Sequence, residues 1–156
     1  MGWGYSFLCK KCHKEYDVLI GSGEDDGWNL LMDIASGKYG EDMRQGVDTP
    51  GMRVSSNLYL YICDKCHYWE TGPDLTLYIH DEEKPPVSGE EQLEYLCRGL
   101  SVWPGERPLK PYIRKECLCK KCNNPMRMIK DEPASISLAC PECGEINENY
   151  AEILWD

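Results

Sequence analysis

Apolar and polar positions along this chain alternate in short runs, most of which abut a pair of cysteines. Tyr5-Ser6-Phe7-Leu8 runs into Cys9, and from Lys14 to Ile20 the apolar residues Tyr16, Val18 and Ile20 alternate with polar or charged neighbours. Period two is the spacing of a half-buried strand, so this stretch reads as strand, tight turn, strand. Asn57-Leu58-Tyr59-Leu60-Tyr61-Ile62 repeats the approach to Cys63, and the chain leaves through Tyr68-Trp69-Glu70. Leu75, Leu77 and Ile79 then alternate with Thr76, Tyr78 and His80, which predicts another strand. Nearer the C-terminus the expected order is Met126-Arg127-Met128-Ile129, a turn at Asp131-Glu132-Pro133, and a short strand Ile136-Ser137-Leu138. From Asn149 to Trp155, Ala151, Ile153 and Trp155 alternate with Glu152 and Leu154, predicting a closing strand.

Two stretches carry the helical period. Asp25 and Asp26 are N-cap candidates for a short helix over Trp28–Ser36, in which Leu31, Ile34 and Ala35 share a face and Gly37 stops the chain. A Gly-rich, acid-bearing loop is expected from there to Pro50 and Gly51. Ser88 with Glu91 three residues on forms a capping box, and Leu93, Leu96, Cys97 and Leu100 fall at i, i+3, i+4 and i+7, predicting a helix over Glu90–Leu100. Cys97 lies on its apolar face and reads as a small hydrophobe. Before it, Asp81-Glu82-Glu83-Lys84-Pro85-Pro86 marks a boundary; after it, Trp103 through Pro111 reads as a proline-fixed connector.

Ten cysteines in 156 residues, with a single Phe, suit small modules that need a metal or disulfides because little sheets bury too little apolar surface. Eight of them form four C-x-x-C pairs: Cys9/Cys12, Cys63/Cys66, Cys119/Cys122 and Cys140/Cys143. Cys97 and Cys117 are left over. The first two pairs are followed by His13 and His67, and C-x-x-C-H is the attachment pattern of a covalent haem. That reading needs export, for which Met1 to Leu8 shows no basic leader, and it leaves the other two pairs unexplained. Zinc explains all four with one geometry, two sulfurs three positions apart converging on one ion.

Cys119/Cys122 and Cys140/Cys143 are separated by 17 residues, inside the zinc spacing C-x₂-C-x₁₅₋₂₀-C-x₂-C. In this stretch, roughly Cys117 to Trp155, the sequence resembles the zinc-ribbon superfamily, most clearly at Cys140-Pro141-Glu142-Cys143-Gly144. Cys9, Cys12, Cys63 and Cys66, with 50 residues between their pairs, are expected to form a second site, a helix and loop being inserted between its knuckles. That half looks like uncharacterised small bacterial zinc-ribbon proteins, through Gly37-Lys38-Tyr39-Gly40 and Asp74 to Ile79. The resemblance implies a small, metal-stabilised, mainly β fold with short helices, built as two zinc-ribbon-like modules holding two zinc ions. Sequential pairing divides the chain into an N-terminal module over 1–84, a helix and connector over 85–116, and a C-terminal ribbon over 117–156. A RING-like cross-brace would exchange pair partners between sites, and the 17-residue spacing favours sequential pairing over it. Rubredoxin-like iron sites use similar knuckles, usually followed by Gly, and only Cys143 has Gly next.

The formal charge is -10, which repels phosphate backbones unless positive charge is gathered locally. Nine basic residues against two acids lie between Arg98 and Lys130, with seven acids and no Lys or Arg beyond. Lys120, Lys121, Arg127 and Lys130 are therefore the candidates for a second reading, nucleic-acid binding by the C-terminal ribbon, although net charge disfavours it. Four thiolates leave zinc no open position, the three histidines form no H-E-x-x-H, and no phosphate loop or nucleophile elbow appears, so no enzyme is expected. The leading expectation is a non-catalytic interaction or adaptor protein, cytoplasmic, reduced and without a membrane span, whose partner is another protein. Trp3, Trp28, Tyr59, Tyr61, Trp69, Trp103 and Trp155 are candidates for its contact patches or for its core. A redox or zinc sensor is the third reading.

Overall fold

The computed structural model describes residues 2–21, 26–49, 52–55, 57–79, 110–129, 137–148 and 150–155. The expected helix over Glu90–Leu100 with Cys97, the boundary at 81–86, the turn at 131–133 and most of the connector from Trp103 lie outside the described residues. Among the described residues the fold is mainly β with two short helices, in the order β1 (Gly2–Leu8), β2 (Glu15–Gly21), α1 (Asp26–Ala35), α2 (Glu41–Gly46), β3 (Met52–Val54), β4 (Leu58–Ile62), β5 (Trp69–Pro73), β6 (Thr76–Ile79), β7 (Lys110–Arg114), β8 (Arg127–Ile129), β9 (Leu138–Ala139), β10 (Ile146–Asn147) and β11 (Tyr150–Trp155). Among the described residues no helix is long and apolar enough to cross a membrane.

The chain divides into two units, neither of them continuous in sequence. The first comprises residues 1–23, 58–72 and 116–156; the second comprises 24–57 and 73–115. This replaces the expected division at 84 and 116. The cause is visible in the strand order of the first unit, β11-β1-β2-β4-β5, with β8 also paired to β4. β11 does not close a C-terminal ribbon; it pairs antiparallel with β1 over six residues, from Gly2 opposite Trp155 to Phe7 opposite Tyr150. The two ends of the chain therefore belong to one sheet, and what lies between the knuckles is inserted into it.

The period-two pattern in β1 and β2 does what it predicts. Tyr5 and Phe7 on β1 and Tyr16, Val18 and Ile20 on β2 are buried, while Glu15 and Asp17 face out. Phe7 and Tyr16, directly opposite each other, stack with ring centroids 5.2 Å apart. With Leu60, Leu138, Cys9 and Cys140 they form one core; Tyr61, Cys63, Cys119 and Met126 form another beside it. Gly2 is required where it stands, since a Cβ there would collide with the Trp155 ring. The Trp155 indole N–H donates to the carbonyls of Trp3 and Ile20, 3.0 Å from each, fastening the end of β11 across β1 and β2.

The second unit packs α1 and α2 with the antiparallel sheet β3-β6-β7. Helix α1 buries Leu30, Leu31 and Ile34. Ala35 is exposed, so the buried face is turned by one position from the expected one. Gly37, at φ 84°, ends the helix in a Schellman arrangement: its N–H reaches the Ile34 carbonyl and the Lys38 N–H that of Asp33. α2, β3 and β7 arise where a loop or connector was expected. α2 shows no apolar period because six residues bury only Met43 and Gly46. In β6 the alternation is broken because Thr76 is buried, its hydroxyl donating to Asp74 at 2.7 Å while the Tyr78 hydroxyl donates to the other carboxylate oxygen.

Gly46 lies against the methyl ends of Leu77 and Ile113, and a Cβ there would come within 2.5 and 2.8 Å of them. Gly46→Val therefore overpacks this core, at a cost of about 1–3 kcal/mol read from denaturant unfolding.

Candidate metal centres

The four C-x-x-C pairs adopt one backbone design. In each, the N–H of the first cysteine donates to the carbonyl five residues on, and the N–H four residues on donates back to that cysteine's carbonyl. The outer bonds join Cys9 to Lys14, Cys63 to Tyr68, Cys119 to Asn124 and Cys140 to Glu145. The inner bonds come from His13, His67, Asn123 and Gly144. Those same four residues are left-handed, at φ 58°, 58°, 57° and 75°. His13 and His67 are thus turn residues in the position that Gly144 fills in the fourth knuckle. Both are exposed and neither is in a metal-ligating group, which disposes of the C-x-x-C-H haem pattern on geometry.

The sulfurs meet in two groups of four, all ligand atoms in each group lying within 4.8 Å of one another. The grouping is nested. Cys9 and Cys12 meet Cys140 and Cys143, while Cys63 and Cys66 meet Cys119 and Cys122. Sequential pairing, expected from the 17-residue spacing, is therefore corrected: the first pair joins the fourth and the second joins the third. The physical reason is the sheet. β1 delivers the first knuckle beside β11, whose chain has just left the fourth, while β4 and β8 pair from Leu60–Ile129 to Ile62–Arg127 and bring together the second and third.

Cross-pair sulfur separations are 3.6 Å for Cys9–Cys143 and Cys12–Cys140, 3.4 Å for Cys63–Cys122 and 3.5 Å for Cys66–Cys119. Disulfide sulfurs would lie at about 2.05 Å. A tetrahedral ion with metal–sulfur bonds of about 2.3 Å has sulfur–sulfur edges of about 3.8 Å, so each group matches a single ion to a few tenths of an ångström. The first cysteine of every knuckle is buried, and the second is exposed in Cys12 and Cys66 and half-buried in Cys122 and Cys143.

Electrostatics also favours a cation. The backbone N–H of Cys12 holds the Cys9 thiol down to about 6, and the Asn124 backbone N–H, then its side-chain amide, does the same for Cys122. The backbone N–H groups of Lys14 and Tyr68 favour the thiolates of Cys12 and Cys66, but desolvation and the neighbouring sulfurs outweigh them and push both up to about 12. Thiols this close share protons because they cannot all ionise together, and a divalent ion relieves that repulsion by displacing the protons. The donor set fits a structural, closed metal site of the zinc-ribbon-like type.

Residues that no spacing rule singled out support the two sites. Asn147, buried, accepts from the Lys10 backbone N–H and donates to the Tyr16 hydroxyl and the Glu145 carbonyl, tying the first knuckle to the fourth. Tyr16 in turn donates to the Leu138 carbonyl. Asn124 donates to the Cys122 sulfur at 3.3 Å. The Trp69 indole N–H donates to the Ala139 carbonyl at 2.7 Å. For Asn124 the available signal was an Asn two positions past Cys122, since short amides favour such turns.

The expected cationic residues are engaged within the fold. Arg127 grips Asp64 with two hydrogen bonds, at 3.2 and 3.1 Å, across the second and third knuckles. Lys120 pairs with Glu70, which also accepts from Tyr68 and from the Cys117 thiol, and Lys121 sits over the Tyr68 ring. Lys130 lies outside the described residues. Cys117 is half-buried and belongs to neither group of sulfurs. Of the aromatic candidates, Tyr61 is buried, Trp3, Tyr59, Trp69 and Trp155 are half-buried, Trp28 is exposed, and Trp103 is not among the described residues.

Nested pairing has a stoichiometric signature. Cys9→Ser/Cys140→Ser removes ligands from one group and should leave one metal ion bound, whereas Cys9→Ser/Cys63→Ser damages both and should leave none; metal analysis of the purified variants distinguishes this from sequential pairing, which requires the reverse. The left-handed positions give a second test. His13→Gly and His67→Gly should each raise the stability of the metal-loaded chain by about 0.5–1 kcal/mol, and His13→Val should lower it by about 1–2 kcal/mol, at unchanged metal content in thermal unfolding. The chain matches no protein-family model, no curated protein and no solved structure, so its site is read from its own geometry.

Proposed function

We propose that the chain is a non-catalytic interaction protein of the zinc-ribbon kind, held in shape by two structural zinc ions. The observation that carries this reading is the closed ligand shell. Each group offers four sulfurs, and an ion taking all four would keep no position for the water or substrate that catalytic zinc requires. Zinc would be held by Cys9, Cys12, Cys140 and Cys143 at one site and by Cys63, Cys66, Cys119 and Cys122 at the other. Repeated knuckle hydrogen bonds at all four pairs support a structural role, because such bonds hold sulfurs fixed whatever else the protein does.

Against the nucleic-acid reading stands the use of its cations. Lys120 and Arg127 are neutralised by Glu70 and Asp64, and Lys121 is taken up by a ring, within a chain of net charge -10. Cys12 and Cys66 are the exposed members of their groups, and as metal ligands they would be thiolates; a redox or zinc sensor would draw on that, since oxidation follows access to thiolate.

Elemental analysis should return about two zinc ions per chain, and their removal by a chelator should abolish cooperative unfolding of the first unit. Iron, red colour or a protein that keeps its fold when stripped would sink the proposal. The chain should not be retained on immobilised nucleic acid at about 50 mM salt. Retention that falls steeply with salt and is lost in Lys120→Gln/Lys121→Gln/Arg127→Gln would put the nucleic-acid reading in its place.

A further inference from the structure

Within the first unit, a cleft of about 590 Å³ opens between the second and fourth knuckles, one from each metal site. Its volume falls in the range of ligand-binding clefts, about 300–1,000 Å³. Tyr68, Trp69 and Ile146 supply apolar lining, Cys66 and Cys140 come from the two sulfur groups, and Lys121 and Glu142 bring charge. Ile146 is 49% exposed despite being apolar and lying in a strand. The Trp69 ring is held from behind, its N–H committed to Ala139 and its ring 5.8 Å from that of Tyr16. Such a surface is ready for a partner without reordering, which lowers the entropic cost of binding.

We propose that this cleft docks an arginine-bearing segment of a partner protein, the guanidinium lying against Trp69 and Tyr68. The inference rests on the interaction-protein reading and supplies the chemistry of the partner. Charge selects a cation. A four-thiolate site holding a divalent ion carries a net charge of about -2 and one such group stands on either side of the cleft, while in the lining itself Glu142 and Lys121 offset each other. A phosphate-bearing ligand meets the wrong sign. The protein's own cation already uses the environment in this way: Lys121 holds its ammonium 5.1 Å from the centroid of the Tyr68 ring. Arginine suits the site better than lysine because a planar guanidinium lies flat on a ring and still points donors at Glu142. His67, also lining the cleft, is exposed and offers a further ring at its edge.

The test titrates the metal-loaded full chain with acetyl-(Gly-Arg)₃-amide while following the Trp69 indole N–H signal by NMR. The citrulline counterpart keeps the planar shape but loses the charge and exchanges one NH2 donor for a carbonyl oxygen, and should bind about five- to tenfold more weakly. Glu142→Lys, on an exposed turn, should weaken the arginine peptide about fivefold, and Lys121→Gln should tighten it by removing the competing cation. Trp69→Leu should abolish saturable binding, and because that ring also packs into the core, Glu142→Lys is the variant that decides if it misfolds. Equal binding of the citrulline peptide, no movement of the Trp69 signal, indifference to Glu142→Lys, or preference for a single-stranded oligonucleotide would each overturn the inference. Should the peptide fail to bind a chain that still carries two zinc ions, docking falls and the structural-zinc reading stands, because metal content is scored separately.

Discussion

Everything in the first unit depends on two turns of chain meeting from opposite ends. Cys9 and Cys12 find their partners across 127 intervening residues, and Cys63 and Cys66 across 52. Sequential pairing would have closed loops of only 50 and 17 residues. On loop-closure entropy alone the nested arrangement is the poorer choice by about 2 kcal/mol. What outweighs this is packing: the ladder between β1 and β11, the Trp155 indole bonded to two carbonyls, and the shared core of Tyr5, Phe7, Tyr16 and Leu138. Fully burying one such side chain is worth about 1.5–3 kcal/mol, so a single well-placed aromatic is enough to reverse the preference.

What could be read along the chain was local. Strand–knuckle–strand around Cys9 and Cys63 follows from alternation in residues that lie within a few positions of each other, and α1 follows from its period and from Gly37. The spacing rule that suggested a C-terminal ribbon is also local, and it failed because it treats the shorter loop as the better one. Nothing in the sequence of β11 says which edge it joins; its alternation is equally compatible with a partner beside Cys140 or one beside Cys9. Short elements were missed for a related reason. β3 has three residues and α2 six, too few for a period to be counted, and their stability comes from Met43, Met52 and Val54 packing into a core assembled from distant segments.

The second unit shows a complementary use of insertion. Its two segments leave the first unit between the first and second knuckles and between the second and third, so both are bracketed by metal ligands on either side. Among the described residues its core, with Leu30, Leu31, Ile34, Met43, Val54 and Leu77, contains no cysteine, and an ion pair between Asp42 and Lys115 joins residues from the two inserted segments. Among the described residues the sulfur groups belong to the first unit, where they share its apolar cores, and the second unit's core is apolar packing alone. Arg127 and Lys120 meet Asp64 and Glu70, joining the chain around the third knuckle to that around the second.

Nesting also fixes an order in time. Cys9 and Cys12 leave the ribosome with 127 residues still to come before Cys140, so the first knuckle must wait as a bare dithiol while all of that stretch is made. The inner site is complete once Cys122 has appeared, and its closure draws residues 66 and 119 together while the outer pair is still open. Of the four knuckles the earliest built is therefore the last to be locked, and a nascent chain stalled between Cys12 and Cys140 carries a half-made site.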